Sequence, residues 1–399
     1  MRTTKKTEGR RMEERLIFLL TAALGKTVRS ADTVKILDCL PLAQKHGVAN
    51  MLYYALPYLP AEQQPQGQER KLLKELAYAA AAREALQERE LDTLLERFEA
   101  EKLPVLPLKG CILKALYPKP GMRYMSDVDL LFDEKQALRV RKIMQDLGYE
   151  TVHFEQGDTD FYISPTRLNY ELHRSLRDEG CNESSRRFLE TLLSSAEPRE
   201  GKTCILELPP EEHYAYLLCH FVKHLLNGGI GVRQVMDIYI CKHGWSFDRE
   251  KLAALLEQLE LTEFAAKLEQ LAECWFGGGK GDAVTDELGA YILGSGTFGT
   301  DEQRVADRIL KEQESNNRVR YVLRRVFLPY KTMCAYFPSL KKVPFLLPFY
   351  WIFRILRGIF CRRQKLFGEM NTVLHTPDEA VNERAAFFRR CGLKIYDKR

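Results

Sequence analysis

The sequence predicts an α+β protein, a small mixed β-sheet core between large N- and C-terminal helical regions. Three observations predict it. Between positions 103 and 209, short apolar segments alternate with Gly, Pro and acidic turns in the manner of strands. Before them, Arg70 to Glu101 runs without Gly or Pro and is rich in Ala, Leu, Glu and Arg, the composition of a long helix. After them, helical spacing returns from Glu211. The expected division is 1–102, helical; 103–209, the sheet-bearing core; and 210–399, helical, with a basic segment at 318–365. At 399 residues, 45% hydrophobic and 29% charged, the chain can bury a sizeable core spread over two or three subdomains.

The N-terminal region opens with an apolar stretch, Leu16 to Leu24, directly behind Glu13 and Glu14. That acidic pair, and the lack of a small-x-small cleavage pattern, favour an amphipathic helix over a signal peptide. A further helix is expected to end at His46-Gly47 and another to carry Met51 to Tyr54, with a loop over Gln63 to Gln68. The long segment from Arg70 is expected to brace a neighbouring unit rather than to carry chemistry. Ten cysteines lie scattered without a C-x-x-C pair, so free thiols in a reducing cytoplasm are the simplest account. No apolar run reaches 18 residues, which argues against a spanning helix.

Chemistry concentrates in Pro104 to Phe132. An apolar run, Val105 to Leu108, ends at Lys109-Gly110; a helix-like segment follows, then a Pro/Gly loop, then Asp127-Val128-Asp129-Leu130-Leu131-Phe132. Side chains two apart on a strand share a face, so Asp127 and Asp129 point the same way. Paired carboxylates repel, and a divalent cation with a taste for hard oxygen ligands removes that cost, which points to Mg²⁺ or Mn²⁺ beside substrate phosphates. A glycine turn opening a helix offers backbone N–H groups to the phosphates. Sixteen residues separate Gly110 from Asp127. Further on, the alternation of Asn169-Tyr170-Glu171-Leu172-His173 places Glu171 and His173 on one face and Leu172 on the other.

These residues resemble the polymerase-beta-like nucleotidyltransferase superfamily. More narrowly, they resemble an uncharacterised bacterial nucleotidyltransferase family whose core reads L-K-G, then Y-P, then R-x-x-x-D-[IV]-D-L-L. Here those positions are Leu108-Lys109-Gly110, Tyr117-Pro118 and Arg123 to Leu131. The resemblance implies that residues 103–209 are the nucleotidyltransferase core. It implies transfer of a nucleoside monophosphate from a nucleoside triphosphate to a hydroxyl acceptor, with release of pyrophosphate. Asp127, Asp129 and Glu171 would be the metal-binding and catalytic carboxylates, Glu171 coming from a strand beside the first two. Lys109, Gly110, Arg123 and Ser126 would contact the nucleotide. One departure is Cys111, where the superfamily usually has a phosphate-touching Ser. The bland alternative for Glu171 is a strand-edge charge. A non-catalytic nucleotide-binding module is the alternative for the whole unit.

In the helical region that follows, His213, His220 and His224 fall on one helix face, open to a zinc reading or to ordinary packing. The segment Gly229-Ile230-Gly231-Val232-Arg233 with Asp237 again resembles the family. Arg233 and Asp237 are spaced for a helical ion pair, while His173, His224 or Arg233 could equally reach the nucleotide or acceptor. Gly294 to Gly299 spells G-x-G-x-x-G but follows a helix rather than a strand, which excludes a dinucleotide fingerprint. From Arg318 to Lys365 there are twelve Lys or Arg and no Asp or Glu, although the whole chain carries only +5. Within that block an apolar aromatic segment, Val343 to Phe353, sits between Lys341-Lys342 and Arg362-Arg363. Residues 341–363 suit either an anionic membrane surface or a core helix under a basic cover. The acceptor class is open between a small molecule, a protein side chain and RNA.

Overall fold

The structure, a computed structural model, describes residues 2–26, 35–177, 182–296, 299, 303, 327–361 and 378–394. Five strands form one mixed sheet: β1 (Val105–Pro107), β2 (Asp127–Phe132), β3 (Glu150–His153), β4 (Thr159–Ile163) and β5 (Asn169–His173), in the order β1-β2-β5-β4-β3. Only β2 and β5 run parallel, and their register sets Asp127 beside Asn169, Asp129 beside Glu171 and Leu131 beside His173. With helical regions on both sides in sequence, the architecture is the expected α+β.

The N-terminal region contributes α1 (Arg2–Ala23), the short α2 (Leu40–Lys45) and α3 (Leu52–Ala55), and then α4 (Gly67–Ala100), an unbroken helix of 34 residues. Good helix formers propagate α4, and its buried stripe of Leu73, Ala77, Ala80, Gln87, Leu91, Leu94 and Phe98 keeps one face inward. The chain then enters β1, turns through α5 (Gly110–Leu113) and, after β2, forms α6 (Ala137–Asp146), stopped at Gly148 with φ +81°.

The period of two in the strands divides the sheet into a dry face and a polar face. Val128, Leu130 and Phe132 with Tyr162, Tyr170 and Leu172 pack under Leu91, Leu94 and Phe98 of α4 and Val140, Ile143 and Met144 of α6. The opposite face carries Asp129, Glu171 and His173. Beyond α7 (Glu183–Ser195) and a small hairpin, β6 (Glu197–Pro198) with β7 (Leu206–Glu207), come α8 (Pro210–Leu225), α9 (Val232–Gly244), α10 (Arg249–Gln258), α11 (Thr262–Ala272) and α12 (Ala283–Ser295). They share one large core with α1, with Leu106, Leu113 and Leu131, and with Phe387 and Phe388 of a late helix, Asp378–Arg390. Residues 327–361 build a separate small cluster described below. Eight cysteines among the described residues are free thiols. No helix among the described residues is long and apolar enough to cross a membrane. Helix α12 precedes Gly296, as the exclusion of a dinucleotide fingerprint requires.

Candidate active site

The polar face of the sheet, the turn after β1, and helices α8 and α9 enclose a cavity of about 290 Å³. Asp127, Asp129 and Glu171 line its floor, Lys109, Gly110, Arg123 and Ser126 one side, and His220, His224, Arg233, Gln234 and Asp237 the helical wall. Motif residues spread from Lys109 to Asp237 therefore face a single space.

Asp129 is the most constrained of them. Lys109 Nζ donates to its Oδ1 at 2.8 Å, and His173 Nε2 lies 2.8 Å from the same oxygen. Burial alone would raise the Asp129 carboxyl, but the Lys109 ammonium and the His173 contact outweigh it and hold the group well below the usual carboxylate range. Asp129 is thus an anion at any physiological pH. Thr159 Oγ1, 2.9 Å from His173 Nδ1, occupies the second ring nitrogen, so the imidazole is fixed at both ends. Donor atoms of Asp129, Glu171 and His173 all lie within 4.8 Å of one another. Asp127 lines the same cavity, but its Oδ1 takes the Ser126 hydroxyl at 3.1 Å and it stands outside that closest group.

Lys109 reaches Asp129 because the backbone at the turn is bent to φ +49°, ψ −120°, a region that costs a non-glycine residue on the order of 1–3 kcal/mol. Gly110 follows at a crowded point, since a Cβ there would strike the Met125 side chain. Cys111 turns away from the cavity: its thiol contacts the main-chain carbonyl of Asp129 at 3.7 Å, and burial, with the nearby Asp129 charge, pushes it up to about 11. It is a neutral thiol tied to the sheet.

The loop leading into β2 is held by α4. Arg83 donates to the carbonyls of Met125 and Ser126 at 3.2 and 3.0 Å, Gln87 donates to Met125 at 3.2 Å, and the Glu84 carboxylate accepts the Gly121 N–H at 2.9 Å. Gly121 has φ +79° and lies against the Ala81 backbone, where a Cβ would come within 2.5 Å of the nitrogen. Tyr54 and Asn50 donate to the Pro120 and Met122 carbonyls at 2.9 and 3.2 Å. Arg70 to Glu101 was expected to brace its neighbour, and these are the contacts through which it does so.

Helix α9 is fastened to the same loop by a buried network. Arg123 Nε and the Tyr117 hydroxyl both donate to Asp237 Oδ1 at 2.7 Å, and Arg233 donates to the Tyr124 carbonyl at 2.8 Å. Burial opposes the Arg123 charge, but Asp237 outweighs it and raises the guanidinium above its ordinary value; Arg233, half-buried, is lowered to about 10 by desolvation and by the neighbouring Arg123 charge. Of the two readings left open for Arg233, the i,i+4 ion pair with Asp237 gives way to this arrangement, because Asp237 is drawn to the deeper Arg123.

Of the two readings of the three histidines, zinc and ordinary packing, the structure favours packing for His213. His213 packs against Trp245, ring centroids 5.1 Å apart, and burial lowers it to about 4, so it is a neutral core residue. His220 and His224 are 4.4 Å apart and line the cavity without it. One helix face was the right description, but seven residues also separate His213 from His220 by about 10 Å along the axis.

Over residues 32–277, more than half its length, the chain matches the model of an uncharacterised nucleotidyltransferase family. It belongs to that family. The match spans the turn, the Asp-x-Asp strand, Glu171 and the α9 residues, so every wall of the cavity falls inside the family's extent. Membership supports nucleotidyl transfer in general and a nucleoside triphosphate as substrate. No curated protein and no solved structure matches the chain.

Proposed function

We propose that the protein transfers a nucleoside monophosphate from a nucleoside triphosphate to a hydroxyl group of an acceptor. Residues 103–209 act as the catalytic unit, and the helices after 210 close the cavity over it. The observation that carries this reading is the convergence of Asp129 and Glu171, in register on parallel strands, beside the Asp127 carboxylate and below a basic wall.

The carboxylates suit a hard divalent cation, Mg²⁺ or Mn²⁺: Asp129 and Glu171, joined by Asp127 from the same cavity, would hold it, with His173 bonded to Asp129 beside them. When bound, such an ion supplies charge neutralisation for the phosphates and lowers the acceptor hydroxyl's pKa. In the reaction the acceptor oxygen bonds to the α-phosphorus, the α–β bridging P–O bond breaks, and pyrophosphate departs with that electron pair. Glu171 is placed to take the acceptor proton. Lys109, Gly110 and Ser126 serve the triphosphate side, Lys109 offsetting its negative charge, while Arg123 lines the cavity with its own charge met by Asp237. His224 and Arg233, on the helical wall, face the acceptor or the base. A walled cavity suits a small hydroxyl compound better than a protein side chain or RNA, and the enzyme is assigned to the cytoplasm on its free thiols.

The test is pyrophosphate release with each of the four triphosphates, Mg²⁺ or Mn²⁺, and an acceptor pool from a lysate. Asp129→Asn should abolish release, and chelation should do the same to the wild type. Full release by Asp129→Asn with an unchanged circular dichroism spectrum would refute the assignment. The alternative reading is a nucleotide-binding module without turnover. Calorimetric binding of a triphosphate with no pyrophosphate released under any acceptor condition would select it.

A further inference from the structure

The C-terminal cluster carries an apolar stripe that its own fold does not need. Helix α13 (Tyr330–Tyr336), a turn at Pro344–Leu346 and helix α14 (Leu347–Cys361) pack around Met333, Cys334 and Leu340, with Leu347, Tyr350 and Trp351 on the inner side. Trp351 Nε1 donates to the Leu328 carbonyl at 2.9 Å, fixing the rotation of α14. What this leaves outside is Phe345, Phe349, Ile352, Phe353 and Leu356, each between 48% and 75% exposed. Phe349, Ile352, Phe353 and Leu356, spaced 3, 1 and 3, share one face of α14, and Phe345 stands exposed in the turn just before it. Single exposed apolar residues are ordinary, but five contiguous ones, three of them Phe, make an interaction surface.

Charge identifies the partner. Lys341 and Lys342 are exposed just before the stripe, and Arg357 is exposed next to Leu356. The sequence from 318 to 365 contains no Asp or Glu. Two copies of this chain meeting through the face would set these cations against one another, whereas anionic headgroups accept them while acyl chains accept the Phe rings. At 15 residues α14 is about 22 Å long, too short to cross a hydrocarbon layer about 30 Å thick, so it lies along the surface. We infer that the exposed face of α14 docks the protein on an anionic membrane surface, independently of the reaction proposed above.

The test is cosedimentation of the full chain with vesicles of phosphatidylcholine alone and of phosphatidylcholine mixed with phosphatidylglycerol, at low and high salt. Binding only to the anionic vesicles, released by salt, is expected. Lys341→Ala and Lys342→Ala should each weaken it about fivefold. Phe345→Glu with Phe349→Glu should abolish it while leaving the thermal midpoint unchanged, since these two rings are the most exposed of the stripe. Absence of sedimentation with anionic vesicles, equal binding to both compositions, or wild-type binding by the double Glu variant would each overturn the inference. Should gel filtration instead show a wild-type dimer that the double Glu variant converts to monomer, with no vesicle binding, the face joins two copies and the lipid assignment fails.

Discussion

Asp237→Asn tests whether the helical region after 210 is locked to the sheet-bearing core through one buried charge pair. Arg123 Nε sits 2.7 Å from Asp237 Oδ1, with the two side chains only 8% and 6% exposed. The substitution keeps the shape of the side chain and removes its charge, leaving Arg123 and Arg233 close together without the anion between them. Breaking a buried pair from one side typically costs about 3–5 kcal/mol, because the surviving charge cannot be rehydrated. For a chain of this size that corresponds to a fall of about 4–6 °C in the thermal midpoint, followed by circular dichroism. Replacing both partners, Arg123→Met with Asp237→Leu, removes the stranded charge and should recover much of the loss. The reasoning is refuted if Asp237→Asn melts with the wild type, or if the double variant is as unstable as the sum of the two single ones.

Other expectations follow from the same contacts. His46 and His213 are both buried and both lowered by burial to about 4 from 6.5, so the unfolded chain binds their protons first as pH falls. Stability should therefore be full above pH 6.5 and decline between pH 6.5 and 4, by about 3 kcal/mol for each histidine, and His213→Phe should flatten that slope in thermal melts at stepped pH. His173→Gln should weaken the metal dependence of pyrophosphate release by about 10–100-fold, seen as a shifted Mg²⁺ titration rather than a lost fold. Cys111→Ser should leave release within a few-fold of the wild type, because the thiol faces the Asp129 carbonyl and not the cavity. Gly121→Ala should cost about 2 kcal/mol or more in chemical denaturation, combining a left-handed backbone with a collision against Ala81.

The parts of the site that were legible in the sequence are those governed by short periods. Alternation alone placed Asp127 with Asp129 and Glu171 with His173. That the Glu171 strand lies beside the Asp-x-Asp strand was expected from the family resemblance; the structure adds that the two run parallel, in a register that makes Asp129 and Glu171 neighbours. Illegible were contacts between positions far apart along the chain. Asp237 has Arg233 one turn away, yet it bonds Arg123, 114 positions distant, because only the docked fold reveals which arginine is deeper. The bend at Lys109 was hidden too, since lysine gives no local sign of a positive φ. The helical face of His213, His220 and His224 was read correctly as an angle but without the axial distance, and that omission produced the zinc alternative.

Helix α4 grips the sheet-bearing core at widely spaced points: Arg83 and Gln87 at the approach to Asp127, Glu90 at the Tyr170 hydroxyl, and Glu99 at the backbone of Thr203 and Cys204. A rod that holds several parts at fixed azimuths cannot change its residue count between them. Deleting one residue between Gln87 and Glu99 would swing the far grip through about 100° and draw it in by about 1.5 Å, although every side chain involved were still present. Evolution along this segment is thus free to exchange letters on its outer side and is barred from altering its length.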